Sequence, residues 1–347
     1  MEENFGSWSV LTTDFLFILY IGLCGVVFSS VLHLANGKWR FEVRELACAF
    51  SALFPIAGVL LLVLLANGDS TFIWLKHAND GTYPHITAWH NYNFLVLREI
   101  VGFAIVVTVC YFFIKWQAES GEDQPYEKRR RFRNIALAIP FVYFLYGTMV
   151  AWDFEMTQIP GWRSASYGAY HFQSNFHMFL AFFTIFIYVM GKKEALSKPL
   201  SGHISNFMAQ FMLAMTILWT YLYFTQYLIM WYGRLPEEMD RYDSMMLEGF
   251  GPLWWLFLTL KFIVPFTTLA ITPNRHNPAI VGLVATSIFV GSWIERYTWI
   301  AGSVDSEYYH VPMTSMFDIV VTVAIAGVCF LAMKYTLTRF KLIEATS

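Results

Sequence analysis

The sequence predicts an all-α protein that crosses a membrane about nine times. Of its 347 residues, 57% are hydrophobic and only 14% are charged, and the mean hydropathy is +0.47. A soluble domain carries roughly 25% charged residues, so this composition excludes a water-soluble globule. The apolar residues also form blocks of about 20, the length that an α-helix needs to cross the hydrocarbon core of a bilayer.

Nine apolar blocks meet this length requirement, and we number them spans 1–9 in chain order. The predicted spans are 14–35, 43–66, 97–116, 134–152, 170–191, 203–231, 250–271, 278–299 and 313–336. An alternative count would split or merge spans at Pro55 or Pro140, which fall inside spans 2 and 4, but proline is tolerated in membrane helices.

Basic residues are distributed unequally between alternate connections, with sixteen on one side and five on the other. The first set is Lys38, Arg40, Arg44, Lys115, Lys128, Arg129, Arg130, Arg131, Arg133, Lys192, Lys193, Lys198, Arg275, Lys334, Arg339 and Lys341, and the second is Lys76, Arg98, Arg163, Arg234 and Arg241. Because lysine and arginine accumulate in cytoplasmic loops, this asymmetry predicts an outer N-terminus and a cytoplasmic C-terminus.

The cysteines and the net charge exclude several classes of function. Cys24, Cys48, Cys110 and Cys329 all lie in apolar blocks, and none forms a C-x-x-C pair. This spacing excludes a cysteine-ligated iron–sulfur cluster, a covalent haem attachment and a disulfide framework. The net charge of −2 argues against a protein that binds nucleic acid. No residue pattern predicts a metal site.

Polar residues inside the predicted spans are the candidate functional residues. A charge at the bilayer centre costs on the order of 2.5–3.5 kcal/mol, so each such side chain must face protein or water. The alternatives are a functional site, hydrogen bonding between helices and, for Glu295 beside Arg296, mutual neutralisation. The candidates for a proton path or a quinone region are Asp153, His171, His177, Gln226, Lys261 and Glu295.

Lys261 is predicted to lie near the membrane midplane in span 7. Its neighbours three and four residues away on the helix are all apolar, so its partner must come from another helix or from water. We expect His177, Asn175 or Gln226 to be that partner. Methionine at position 261 should then be tolerated, because it fits the volume and removes a desolvation cost.

Three segments carry a resemblance to a known family. They are Gly37-Lys38-Trp39 with Arg44-Glu45, Asp153-Phe154-Glu155-Met156 continuing through Trp162-Arg163-Ser164, and a string from His203 through Trp219, Tyr221, Gln226-Tyr227 and Trp231-Tyr232 to Pro236-Glu237-Glu238. Over about residues 12–340 the chain resembles NrfD/polysulfide-reductase-type integral membrane subunits. It is similar in particular to the second such subunit, described as quinone-binding, of bacterial alternative complex III.

The resemblance implies a fold of two four-helix bundles plus a flanking helix, with nine spans here against ten in the family. The implied organisation is an outer N-terminal segment at 1–13, a first bundle at 14–152, an outer loop at 153–169, a second bundle at 170–299, and a flanking helix with a cytoplasmic tail at 300–347.

The resemblance also implies a function. The chain would be a multi-pass subunit, in the bacterial inner membrane, of a respiratory quinol:cytochrome c oxidoreductase. Its partners would be a second NrfD-like subunit together with a multihaem cytochrome c and an iron–sulfur subunit, and the last two would hold the redox centres. This chain could supply an anchor in the lipid bilayer, a quinone or menaquinone environment and a proton pathway.

The predicted outer loops are candidates for docking those partners. They contain Trp162 and the acidic run Pro236, Glu237 and Glu238, while the loop at 67–96 contains His77, His85 and His90. The alternative is that these loops are ordinary solvated connections.

Two other functions are considered. An ion or solute transporter would show interrupted helices in matching halves, and no such pair is evident in the sequence. A haem b cytochrome would need histidines at matching depths, whereas His33 and His177 lie near opposite ends of their spans.

Overall fold

The structure, a computed structural model, describes residues 5–75, 88–121, 123–302 and 310–344, including the backbone but not the side chain of residue 237. Within these ranges nine helices are long and apolar enough to cross a membrane, which confirms the predicted all-α polytopic fold. They are Phe5–Leu34, Arg40–Ala66, Tyr92–Lys115, Tyr126–Gln158, Tyr167–Lys192, His203–Tyr232, Gly251–Leu269, Pro278–Ala301 and Met316–Arg339, and they are spans 1–9 from here on. His77, His85 and Lys76 lie outside the described residues.

Span 1 begins at Phe5, so most of the predicted N-terminal segment is helical instead. Several of its polar residues are compatible with a buried helix because their hydroxyls bond within the helix. The Oγ of Ser9 donates to the carbonyl of Phe5, and the Oγ1 of Thr13 donates to the carbonyl of Ser9, both at 2.8 Å. These internal bonds satisfy polar groups that made 1–13 look like a surface segment.

Two spans are interrupted. Span 2 changes from α-helix to a 3₁₀ turn at Phe50–Leu53, just before Pro55. Span 7 contains a π-helical turn at Thr259–Ile263, just before Pro265. Proline lacks the backbone N–H that would bond four residues back, so each helix re-pairs its carbonyls with a different spacing.

Span 1 is the central helix of the protein. About 94% of its apolar stretch is buried, against 11% for span 9, which flanks the rest as predicted. The ring of Phe28 in span 1 packs against Phe179 and Phe183 in span 5 and against Phe211 in span 6. The two predicted bundles therefore share one hydrophobic core.

We call the end of the bundle at which span 1 begins the N-terminal face. The predicted acidic loop on this face is in part a helix, Pro236–Met246, with the proline in its first turn, where its missing N–H costs nothing. At the opposite face, the backbone N–H of Ser201 donates to Glu42 at 2.8 Å, and Leu196 pairs with Ile343. These contacts hold together the segments that connect the spans, and the C-terminal segment, at the opposite face.

Candidate functional site

A buried polar network lies below the N-terminal face and joins spans 1, 4, 5, 6, 7 and 8. Its charged or titratable members are each at most 1% exposed, so no solvent reaches them directly. These members are Glu155, His171, Lys261, Glu295 and Arg296.

Glu295 is the centre of one half of the network. Its Oε1 accepts hydrogen bonds from the hydroxyl of Tyr170 and from the indole Nε1 of Trp219, the latter at 2.6 Å. Its Oε2 accepts from the Nζ of Lys261 and, at 2.9 Å, from the Oγ of Ser174. The Nζ of Lys261 also donates to Ser174 at 2.6 Å, so the carboxylate and the ammonium share one hydroxyl.

Glu155 is the centre of the other half. Its Oε1 accepts from Arg296 at 2.5 Å, and its Oε2 accepts from the hydroxyl of Tyr167 at 2.5 Å. The same Oε2 lies 3.0 Å from the Nδ1 of His171. Two carboxylates thus face one ammonium and one guanidinium, and this balance of charge is what allows four ionisable groups to be buried together.

His171 can hold its ring proton on either nitrogen. Its Nδ1 lies 3.0 Å from Glu155, which can only accept, and 2.8 Å from the guanidinium of Arg296, which can only donate. Its Nε2 lies 2.8 Å from the hydroxyl of Tyr20, which can do either. Each neutral tautomer therefore finds a partner at both nitrogens, and exchange between the two moves a proton across the ring.

The two halves are connected through span 5. The Nη2 of Arg296 lies 3.4 Å from the Oγ of Ser174 and 3.2 Å from the Oδ1 of Asn175. His171, Ser174 and Asn175 share a helix face because they are three or four residues apart. These polar residues of span 5 thus form hydrogen bonds between helices, one of the alternatives that the sequence left open.

Glu295 and Arg296 each form an ion pair with a residue of another span, instead of with each other as in the alternative considered from the sequence. Consecutive residues on an α-helix point about 100° apart, so Glu295 reaches Lys261 while Arg296 reaches Glu155. The expected partners of Lys261 were wrong: it binds Glu295 and Ser174, and not His177, Asn175 or Gln226.

The π-helical turn carries Lys261. Its wider turn leaves the carbonyl of Leu260 to accept from the Oγ of Ser287 in span 8, at 2.7 Å. Interruptions of this kind occur frequently at functional sites. The turn and this interhelical bond fix span 7 against span 8 at the level of the lysine.

Asp153 belongs to a different buried ion pair. Its two oxygens accept from the Nε and Nη2 of Arg98, at 2.7 and 2.6 Å, and its Oδ1 also accepts from Trp89 at 2.7 Å. The guanidinium also lies 4.0 Å from the centre of the Trp89 ring. Arg98 is buried by this pairing instead of extending to the headgroups, and the forked geometry ties span 3 to span 4.

The structure does not bring His177 and Gln226 into the network. The Nε2 of His177 lies 3.2 Å from the Oγ1 of Thr216, which joins spans 5 and 6. Gln226 accepts from the Oγ of Ser164 at 2.7 Å, which ties span 6 to the loop after span 4. Both side chains are buried, and both act as contacts between elements.

Trp162, a predicted docking residue, is buried as well. Its indole N–H donates to the backbone carbonyl of Glu238 at 3.0 Å, and the guanidinium of Arg241 stacks on its ring at 4.5 Å. Pro236 is exposed and Glu238 is half-buried, while the side chain of Glu237 lies outside the described part of the structure. The surface available for docking is therefore the Pro236–Met246 helix, with Trp162 beneath it.

Arg241 connects that helix to the network. It donates to the backbone carbonyls of Glu155 and Trp299, both at 2.8 Å. Burial lowers the pKa of Arg241 from its ordinary value, and nearby Tyr167 and Glu155 act in the opposite direction. Arg241 thus ties the surface helix to the backbone that carries Glu155.

Sequence reasoning missed Tyr20, Glu155 and Arg241. Glu155 lies in the quoted motif two residues after Asp153, but the predicted end of span 4 placed it in a loop. A helix extended by one turn would have brought it inside the membrane and made it a candidate.

A separate cavity of about 380 Å³ opens between spans 1, 8 and 9. Phe17, Phe289 and Trp293 contribute to its apolar lining, and Asp14 is its one charged lining residue among those described. The carboxylate accepts from Trp293 at 3.0 Å and from the hydroxyl of Thr322 at 2.6 Å. The cavity thus combines an aromatic wall with the carboxylate of Asp14, which lies about 14 Å from the start of span 1 at 1.5 Å per residue.

Comparison with known proteins adds no identification. No protein-family model matches the chain, and no curated protein matches it either. The resemblance described under Sequence analysis stays a prediction. Among the described residues, no group of three or more His, Cys, Asp and Glu side chains is arranged to hold a metal ion.

Proposed function

We propose that this chain is a membrane subunit of a respiratory quinol-oxidising complex of the alternative complex III type, in which it moves protons between the N-terminal face and the membrane interior. The proposal rests on one observation, the buried polar network. It runs from Tyr20 and His171 through Glu155 and Arg296 to Glu295 and Lys261. Buried ionisable groups are costly and mark proton relays in membrane proteins.

The chemistry of quinol oxidation supports this assignment. Oxidation of a quinol releases two protons, and imidazole and carboxylate groups accept and pass on protons near neutral pH. His171 lies between Glu155 and Tyr20 with a partner for either tautomer, so it is the residue through which we propose the proton moves. Electrons pass through haem and iron–sulfur centres in partner subunits.

A quinone would fit the cavity beside Asp14 better than the network itself. The predicted quinone-region residues are each at most 1% exposed, so a ring could reach them only by displacing side chains. The cavity of about 380 Å³ offers an apolar aromatic wall and a carboxylate, the composition typical of sites for small apolar ligands. We propose that Asp14 faces the quinone and that Glu155 and His171 serve proton transfer.

The transporter alternative is less well supported. Spans 2 and 7 are both interrupted, but span 2 is the second helix of the first set of four and span 7 is the third helix of the second set. Internal repeats in transporters place their interruptions at corresponding positions. These two interruptions therefore do not form a matched pair.

Purification of the tagged chain from its native membranes in mild detergent tests the assignment. We expect it to bring with it a multihaem cytochrome c, an iron–sulfur subunit and quinol-dependent haem reduction. Isolation of the chain alone, without haem absorbance, would contradict the proposal.

The docking surface has its own test. Reversal of Glu237 and Glu238 to lysine should release the chain from those partners, because the substitutions turn an acidic surface basic. A complex that survives the double reversal would show that the Pro236–Met246 helix is an ordinary connection.

A second pair of variants tests the proton role in the assembled complex. His171→Gln keeps hydrogen-bonding groups at the site but cannot shuttle a proton, whereas His203→Gln changes an exposed histidine at the opposite face. In proteoliposomes, we expect the first variant to lower quinol-driven proton movement at least tenfold with normal haem content. Equal proton movement in both variants would remove His171 from the pathway.

A further inference from the structure

A cavity of about 840 Å³ lies between spans 2, 3 and 9 near the opposite face. This volume falls within the range of about 300–1,000 Å³ that is usual for ligand sites in proteins. Its deep part is apolar and includes Phe54, Phe103 and Val107, and its mouth carries Arg44 and Lys115. The cavity is separate from the polar network.

The interruption of span 2 helps to explain the cavity. The hydrogen-bond pairing changes from α-helical to 3₁₀ at Phe50–Leu53, and Phe54 and Pro55, which directly follow this turn, line the cavity. The deep end is closed where Gly58 meets Phe103, since a methyl group at position 58 would lie 3.1 Å from that ring. The space therefore widens from an apolar end toward a charged mouth.

The cations at the mouth are only partly neutralised. The guanidinium of Arg44 donates to the Oγ of Ser120 at 2.5 Å, but its buried Nε has no hydrogen-bond partner among the described residues. Among the residues that the structure describes, Lys115 has no ion-pair partner. Its Nζ lies 5.7 Å from the centre of the Tyr111 ring. Glu45 also lines the mouth, which leaves one net positive charge there.

We propose that this cavity binds an anionic phospholipid, with the phosphate held by Arg44 and Lys115 and an acyl chain extending past Phe54 toward Gly58. Basic pockets between membrane helices bind anionic headgroups, and an arginine with a free N–H matches the geometry of a phosphate oxygen. A neutral quinone would make no use of the two cations. The site follows from these residues alone and does not depend on the proposed function.

Native mass spectrometry of the purified full-length chain tests this site. The probes are phosphatidylglycerol and phosphatidylcholine with identical acyl chains, each added to delipidated protein in detergent. We expect selective retention of phosphatidylglycerol. Neutralising both cations with Arg44→Gln and Lys115→Gln should weaken that retention about fivefold for each charge.

Arg129→Gln with Arg133→Gln is the matched control, because it removes the same charge from exposed positions of span 4 at the same face, outside the cavity. This control should retain phosphatidylglycerol as the wild-type chain does. Equal retention in the two double variants would overturn the proposal, as would preferential retention of quinone over both phospholipids.

A steric variant gives an independent measurement. Ala49 lines the cavity, and Ala49→Phe should fill it and displace the bound lipid without changing any charge. Millimolar inorganic phosphate should not displace the lipid, since the apolar contacts contribute to binding. Retention unchanged by Ala49→Phe would show that the lipid binds elsewhere, and displacement by phosphate alone would show that the apolar part of the cavity holds no acyl chain. Either result would overturn the proposal.

Discussion

Lys261→Met should destabilise the protein, contrary to what the sequence alone favours. Glu295 accepts four hydrogen bonds, and Lys261 supplies the only one of these four that comes from a cation. Methionine would leave the carboxylate with three neutral donors and no cation hydrogen-bonded to it. Both side chains are fully buried, so water cannot replace the lost ammonium.

The expected magnitude follows from that geometry. Removing one partner of a buried ion pair costs about 3–5 kcal/mol, because the remaining charge is left uncompensated. The double variant Lys261→Met with Glu295→Gln should recover most of this loss. Glutamine is neutral, its oxygen can still accept from Tyr170 and Trp219, and its amide can donate to Ser174.

The free energy of unfolding in detergent, measured by titration with sodium dodecyl sulfate and followed by circular dichroism, is the readout. Lys334→Met is the control, because Lys334 is exposed on span 9, and it should change stability by no more than about 0.5 kcal/mol. We expect an interaction energy between positions 261 and 295 of about 2 kcal/mol or more. A Lys261→Met variant as stable as the control, or an interaction energy near zero, would refute the reasoning.

Three further predictions concern packing, the second ion pair and topology. Asp153→Asn should lower the free energy of unfolding by about 3–5 kcal/mol, because it removes the carboxylate that is paired with the buried Arg98; a smaller loss in the same titration would mean that another group compensates the charge of the guanidinium. Gly25→Ala should lower the free energy of unfolding by about 1–3 kcal/mol, since the new methyl group would lie 2.2 Å from the carbonyl oxygen of Ala47. In the control Gly191→Ala, the methyl group meets nothing within 4 Å, so this variant should be neutral or slightly stabilising. A reporter active only in the cytoplasm should work at the C-terminus and fail in the connection after span 6, and opposite signals would reverse the predicted orientation.

The nine spans could be predicted from the sequence because hydrocarbon imposes a local requirement. A helix that crosses a bilayer needs about 20 consecutive apolar residues, and that property is visible without any knowledge of neighbouring helices. The ends were less well predicted: span 1 starts at Phe5 and span 4 reaches Gln158. Polar residues that bond within their own helix, or with another span, can lie inside the membrane, whereas the same residues facing lipid would be costly.

The candidate site was predicted in part. His171, Lys261 and Glu295 were chosen from the sequence because each is polar inside an apolar block, and the structure places them in one network. Their pairing could not be predicted, because helical periodicity gives the face on which a residue lies but not the helix that this face meets.

The sequence by itself therefore determined the fold class, the number of spans and the presence of buried charges. Only the tertiary structure decided which charges pair. Lys261 meets Glu295 from 34 residues away, and Arg296 meets Glu155 from 141 residues away. The rotation and crossing of packed helices set those partners, and both depend on the whole core instead of on any local segment.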